Sequence, residues 1–137
     1  MSELEKAIQA ASMGMRAQGT RMKVISQNIA NAGTTGRSPE EDPYRRQLVT
    51  FKTVLDRTQN IDKVMVDKIL PDRKDFSTRY DPSHPAANAQ GYVRIPNVNT
   101  LIEMSDMREA QRSYEANLGV IEMSRSMLMR TIDMLGR

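Results

Sequence analysis

The sequence has no cysteine and no tryptophan, a single histidine, and only 4% aromatic residues across 137 positions. Without cysteine there are no disulfides, no thiolate metal sites and no thiol nucleophile, and the redox compartment stays open. The lone histidine, His84, lies within Asp81-Pro82-Ser83-His84-Pro85, where no base or ligand partner can be identified from spacing, so it reads as a surface turn residue. No apolar run approaches the roughly 18 residues of a membrane span. The N-terminus lacks a basic region followed by an apolar stretch and a small-residue cleavage site, which predicts a soluble chain without a cleaved secretory signal.

An excess of one charge is also missing, since 20 basic residues face 17 acidic ones for a net charge of +3. The cations Arg108, Arg112, Arg125 and Arg130 are interleaved with Glu103, Asp106, Glu109, Glu115 and Glu122, so the uncompensated positive surface that phosphate binding needs is absent and nucleic acid is not an expected partner. Glu40, Glu41 and Asp42 lack the alternating spacing of a calcium loop and sit near Arg37, Arg45 and Arg46, which makes them a solvated charge run. Glu103, Asp106 and Glu109 recur at helical spacing and are assigned nothing beyond solubility and favourable charge at a helix start. Gly33-Thr34-Thr35-Gly36 lacks the following Lys of a phosphate loop. The residues thus supply no catalytic, cofactor-binding or metal-binding constellation, and a non-enzyme is expected.

What is present is concentrated at the two ends. Leu4, Ile8, Ala11, Met15, Gln18, Met22, Ile25 and Ile29 step by four and three, a heptad seam with one polar break at Gln18. Ser2 with Glu5 fits a capping box, and Asn31-Ala32-Gly33 supplies a stop, predicting a helix from about residue 3 to about residue 31. Met104, Met107, Gln111, Tyr114, Leu118, Ile121, Arg125, Leu128, Ile132 and Leu135 repeat the pattern, with Thr100 and Glu103 as a second capping box. That helix is predicted to run from near residue 101 to the end of the chain. Val120, Met123, Met127 and Met134 widen its apolar face beyond a two-stranded seam, so more than one neighbour is expected. Methionine is unbranched and adaptable, which suits packing against nonidentical surroundings. Gln18, Gln111 and Arg125 either set register or lie at the solvent edge. Apolar surface left over on such a helix pair marks an interface, unless an intramolecular hairpin satisfies itself.

Between the helices, Gly36, Pro39, Pro43, Pro71, Pro82, Pro85, Gly91 and Pro96 punctuate the chain and argue against long helices. Apolar clusters at Leu48–Leu55 and Val64–Leu70 have strand length, and Tyr92-Val93-Arg94 is a third candidate. The expected fold is mainly α: long terminal helices packed in coiled-coil fashion, residues 1–32 and 100–137, with a small irregular or β-rich middle segment over 33–99.

Ser26-Gln27-Asn28-Ile29-Ala30-Asn31-Ala32 resembles the N-terminal signature of flagellar rod and hook proteins. Tyr80 to Pro85, Gly91-Tyr92-Val93, Pro96-Asn97-Val98-Asn99 and Glu103 to Met107, leading into Ala110, Arg112, Tyr114, Ala116 and Asn117, are similar to the proximal, C-type rod proteins in particular, as is Pro43-Tyr44-Arg45-Arg46. The motif residues are Asn28, Ile29, Ala30, Asn31, Pro96, Asn97 and Asn99. The resemblance weakens between about residues 52 and 79, and Gly33 stands where the signature more often has Asn. It implies a structural rod subunit of the bacterial flagellar basal body, exported by the flagellar type III apparatus without signal cleavage and placed in the periplasmic space. It implies partners in further copies, other rod subunits and the protein joining rod to membrane ring, with terminal helices layered in a tube that transmits torque. The subunit-facing residues would then be Leu4, Ile8, Ala11, Met15, Met22, Ile25, Ile29, Met104, Met107, Tyr114, Leu118, Ile121, Leu128, Ile132 and Leu135. The alternative is a self-contained coiled-coil adaptor that dimerises in solution.

Overall fold

The computed structural model describes residues 2–136. Helix α1 spans Glu3–Ala30, strands β1 and β2 span Gln47–Asp56 and Ile61–Pro71, β3 and β4 span Ser77–Tyr80 and Tyr92–Ile95, and helix α2 spans Thr100–Leu135. The expected α1 start is correct in detail: the Ser2 amide donates to Glu5 Oε2 at 2.8 Å and the Glu5 amide donates to Ser2 Oγ at 3.2 Å. Its end is tied off where Asn31 Nδ2 donates to the Gln27 carbonyl at 2.8 Å, satisfying one of the orphan acceptors of a helix C-terminus.

The cap of α2 differs from expectation. Asn99, not Thr100, is the capping residue: its Oδ1 accepts from the Leu101 and Ile102 amides at 3.1 and 3.4 Å. Glu103 is therefore not engaged at the helix start and points elsewhere. Arg137, to which the helix was expected to run, lies outside the described residues.

The middle segment carries more strand than its sequence suggested. β1 and β2, rich in β-branched residues, pair as one two-stranded sheet; their Arg57 to Asn60 connection is too short for anything but a hairpin. Asp56 organises that turn, accepting from the Thr58 amide at 3.0 Å and pairing with Lys63 Nζ at 2.9 Å. β3 and β4 pair antiparallel with Ser77 opposite Ile95 and Tyr80 opposite Tyr92. β3 was missed because its four residues, Ser77-Thr78-Arg79-Tyr80, are all exposed and carry no apolar alternation.

These elements form two compact units, one of Met1–Met22, Thr50–Lys68 and Arg108–Arg137, the other of Lys23–Val49 and Ile69–Met107. In the first unit α1 and α2 run antiparallel, with Gly14 facing the Asn117 side chain and Arg21 pairing with Glu109 at 3.5 Å. A methyl group on Gly14 would come within 2.9 Å of Asn117 Nδ2, so the Asn117 side chain would have to shift to admit it. On a second flank of α1 there, Met13, Ala17 and Thr20 face Val64 to Val66 of β2 across a cleft.

This corrects the expected fold class. The chain is 47% helix and 21% strand, a mixed architecture, and the helices do not meet along an apolar coiled-coil seam. Covered positions on α2 are Glu103, Asp106, Met107, Ala110, Ser113, Tyr114, Asn117, Ile121, Ser124 and Leu128. Six of these ten are small or polar, whereas knobs-into-holes packing requires large apolar residues at both seam positions. Of the residues in the expected seam, Met107, Tyr114, Ile121 and Leu128 are half-buried, while Met104, Gln111, Leu118, Arg125, Ile132 and Leu135 are exposed. Gln111 and Arg125 are thus solvent-edge residues, while Gln18 is half-buried with a side-chain oxygen that has no partner among the described residues.

Candidate functional site

In the second unit, two of the three largest fully buried side chains are polar. Glu103 is 0% exposed and Asn28 1% exposed, alongside Val93 at 0%. Burying a charge is costly unless it is paired and hydrogen-bonded, and Glu103 is both. Arg46 Nε donates to Glu103 Oε1, and Asn28 Nδ2 donates to Glu103 Oε2 at 3.3 Å. The same guanidinium reaches Asp72 Oδ2 at 3.1 Å and Asp106 Oδ2 at 3.5 Å. Asn28 Nδ2 also donates to the Gln47 carbonyl at 2.9 Å, while its Oδ1 accepts from the Gln47 amide at 3.0 Å and from the Tyr44 hydroxyl at 2.7 Å. Two donors and two acceptors are all an Asn amide has, and all four are used.

The cluster extends through Asn97, whose Oδ1 accepts from the Arg46 amide at 2.7 Å and whose Nδ2 donates to the Asp72 and Lys74 carbonyls at 3.0 and 3.1 Å. Arg45 donates to the same two carbonyls and stacks over Phe76, its guanidinium carbon 4.2 Å from the ring centroid. Burial works against the Arg46 charge, but its hydrogen bonds to Glu103 and Asp72 outweigh that and raise its pKa. The Lys74 amide first, and Arg46 second, hold the Asp72 carboxyl below its ordinary range. Tyr44 is pushed up by burial and by the nearby Glu103 carboxylate.

The earlier assignment of Glu103 to solubility is therefore overturned: it is the buried anion on which the Asn28, Arg46 and Asp72 segments converge. Only the Tyr44-Arg45-Arg46 and Pro96-Asn97 motifs hinted at this, and neither reveals the pairing. Four motif residues gain structural roles, Asn28 and Asn97 as hydrogen-bond hubs, Asn31 as the tie at the end of α1 and Asn99 as the α2 cap. Pro96 is buried, Ile29 half-buried and Ala30 exposed. His84 does more than occupy a turn: its Nδ1 accepts from the Ala86 amide at 2.9 Å and its Nε2 lies 3.1 Å from Thr35 Oγ1, tying the turn to the segment after α1. No group of three or more His, Cys, Asp or Glu among the described residues could hold a metal ion.

The proposed subunit-facing residues fall into distinct classes. Ala11 and Ile25 are buried inside the chain; Leu4, Ile8, Met15, Met22, Ile29, Met107, Tyr114, Ile121 and Leu128 are half-buried; Met104, Leu118, Ile132 and Leu135 are exposed. In the first unit the exposed set continues through Val120, Met123, Met127, Met129 and Met134, with Met123 at 67% and Leu135 at 83%. No helix among the described residues is long and apolar enough to cross a membrane.

Two family models match the chain. Residues 8–36 match one described as flagella basal body rod protein, and residues 89–134 match one described as flagellar basal body rod FlgEFG protein C-terminal. The chain is 50% identical over 135 residues to the flagellar basal-body rod protein FlgC of Agrobacterium fabrum, covering 98% of this chain and 97% of that one. The chain belongs to the FlgC family. FlgC of Bacillus subtilis is 36% identical, with 93% of this chain and 95% of that one covered. FlgC of Salmonella typhimurium is 35% identical over 89% and 90% of the two chains. As a FlgC-family member the chain is a structural rod subunit of the flagellar basal body. Asn28 and Asn31 lie in the first matched region and Asn97, Asn99 and Glu103 in the second, so the buried cluster joins the two parts by which the family is identified.

Proposed function

We propose that this FlgC-family chain forms the proximal rod by packing its terminal helices, residues 1–32 and 100–137, against those of further copies and other rod subunits. The product is a helical tube that transmits torque. The observation carrying this is the exposed apolar surface of α2, in two stripes, Val120, Met123, Met127 and Met134 on one and Leu118, Met129 and Ile132 on the other, with Met123 at 67% and Met134 at 77%. A soluble monomer rarely keeps so much exposed apolar surface without an interaction to bury it. The non-closing contacts between like subunits that such a face permits build filaments rather than rings.

The rest of the reading follows the family. The subunit is exported by the flagellar type III apparatus without a cleaved signal, lies in the periplasmic space, meets the protein joining rod to membrane ring, and catalyses nothing. Residues 33–99 form the segment between the assembling helices. A self-contained coiled-coil adaptor loses its basis, because six of the ten covered positions on α2 are small or polar.

Leu118→Asp and Met123→Asp test the proposal, since each places a charge on one of the two exposed stripes and leaves the chain's own interior alone. In cells lacking the native chain, each variant is expected to be made and folded but absent from isolated basal bodies, with motility lost. Normal rods from both would remove the α2 face from assembly. Ile25→Asp, at a position 5% exposed, would instead perturb the fold itself.

A further inference from the structure

We infer that the end of α2 from one copy docks into a cleft between α1 and β2 of a second copy, with Asp133 paired to Arg16. This rests on the rod-subunit reading above and names the partner of its apolar face. Within the first unit, Gly14 of α1 faces Asn117 of α2 and the helices are antiparallel. Moving eleven residues from Gly14 back to Glu3, where α1 begins, moves α2 forward from Asn117 to Leu128. Residues 129–135 of α2 therefore project past the start of α1 by roughly 10 Å, with no α1 residue opposite them.

That projection is apolar and open: Met129 is 57% exposed, Ile132 53%, Met134 77% and Leu135 83%. Met129, Ile132 and Asp133, at relative positions i, i+3 and i+4, share one side of the helix. A matching receptor lies on the flank of the same unit. It is a cleft of about 190 Å³ walled by Met13, Arg16, Ala17 and Thr20 of α1 and by Val64 to Val66 of β2. Its floor is apolar, with Ala17 only 3% exposed, and Val64 and Met65 stand open at 43% and 36%. Its single ionisable side chain is Arg16. Among the described residues neither Arg16 nor Asp133 has an ion-pair partner.

The complementarity selects the occupant. An apolar helix side bearing one carboxylate a turn from its methionine fits an apolar cleft bearing one guanidinium, and the same chain presents both. Because the projection and the cleft are different surfaces, the contact is heterologous and leaves each copy with one of each unused, which propagates.

The absence of cysteine makes a clean experiment possible. Val64→Cys and Ile132→Cys variants of the full-length chain are co-expressed in cells lacking the native copy, basal bodies are isolated, incorporation is measured, and the rods are then oxidised. A disulfide-linked dimer carrying one of each variant is the expected product. Rods that contain both variants but yield no such dimer, or that join position 64 to a different rod protein, overturn the docking and leave the rod reading standing. Absence of both variants from basal bodies overturns the two together. Charge exchange gives a second readout: Arg16→Asp and Asp133→Arg should each cut incorporation about tenfold through like-charge contact, and the double exchange should restore it. A double variant no better than either single one also refutes the pairing.

Discussion

Arg46 is placed so that removing it does more harm than any one of its bonds suggests. Its side chain is 19% exposed and lies against Glu103, at 0%, which has no other ion-pair partner among the described residues. Replacing it with leucine leaves a buried carboxylate with only the Asn28 amide, and breaking such a pair from one side costs about 3–5 kcal/mol. Urea unfolding of Arg46→Leu should show a loss of this size, and a midpoint equal to the parent's would show that Glu103 is stabilised without the guanidinium. Acidification attacks the same cluster from the anionic side. The Asp72 pKa is lowered in the folded state, by the Lys74 amide and then by Arg46, so its contribution is fully present above the unfolded value of about 3.9 and is lost as pH falls through the folded value. Asp56, lowered chiefly by its hydrogen bond from Lys63, acts in the same direction. The urea midpoint is therefore expected to hold between about pH 7 and 5 and to fall below about pH 4, less steeply in Asp72→Asn. A profile unchanged by that substitution would mean that Asp72 is not held in its charged form.

Asn99 shows what an element's end contributes. It accepts from the Leu101 and Ile102 amides and thereby starts α2, so Asn99→Ala should cost about 1 kcal/mol in a thermal or urea melt, with Asn99→Asp close to neutral. Equal loss in both variants would point to a role other than capping. The ends of elements were largely legible in the sequence because capping is local: Ser2 with Glu5 and Asn31 before Gly33 gave the bounds of α1 to within a residue. β1, β2 and β4 were legible from β-branched and aromatic clusters, while β3 lacked any such signal. Which side of α2 faces inward was not legible. Periodicity locates the apolar stripe, and here the inward positions include Glu103, Ala110, Asn117 and Ser124 while Leu118, Met123 and Ile132 face out. The polar cluster was hidden for a different reason, since Asn28, Arg46, Asp72 and Glu103 come together only through the fold and each alone is an ordinary surface residue type.

The two units differ in what holds them, and this has a consequence for the free molecule. The second has a saturated polar cluster around Glu103 and a fully buried Val93, both formed from its own residues. The first keeps Ala11 and Ala17 as its buried apolar side chains on α1, and exposes a row of large apolar residues on α2 from Leu118 to Leu135. Local stability follows buried apolar contact, so the two should open at different free energies. Hydrogen exchange on the purified chain at low micromolar concentration, with light scattering to establish that it is monomeric, is expected to show amides at 25–28, 93 and 103–107 among the slowest. Amides at 123–135 should exchange nearly as fast as in an unfolded peptide, with circular dichroism below the helix content of the full fold. In isolated basal bodies the same 123–135 amides should become slow, because burial of Met123, Met127, Ile132 and Leu135 against a neighbour supplies what the isolated helix lacks. Uniformly slow exchange along α2 in the monomer would mean that the helix stands without that neighbour, and the exposed face would then need another explanation.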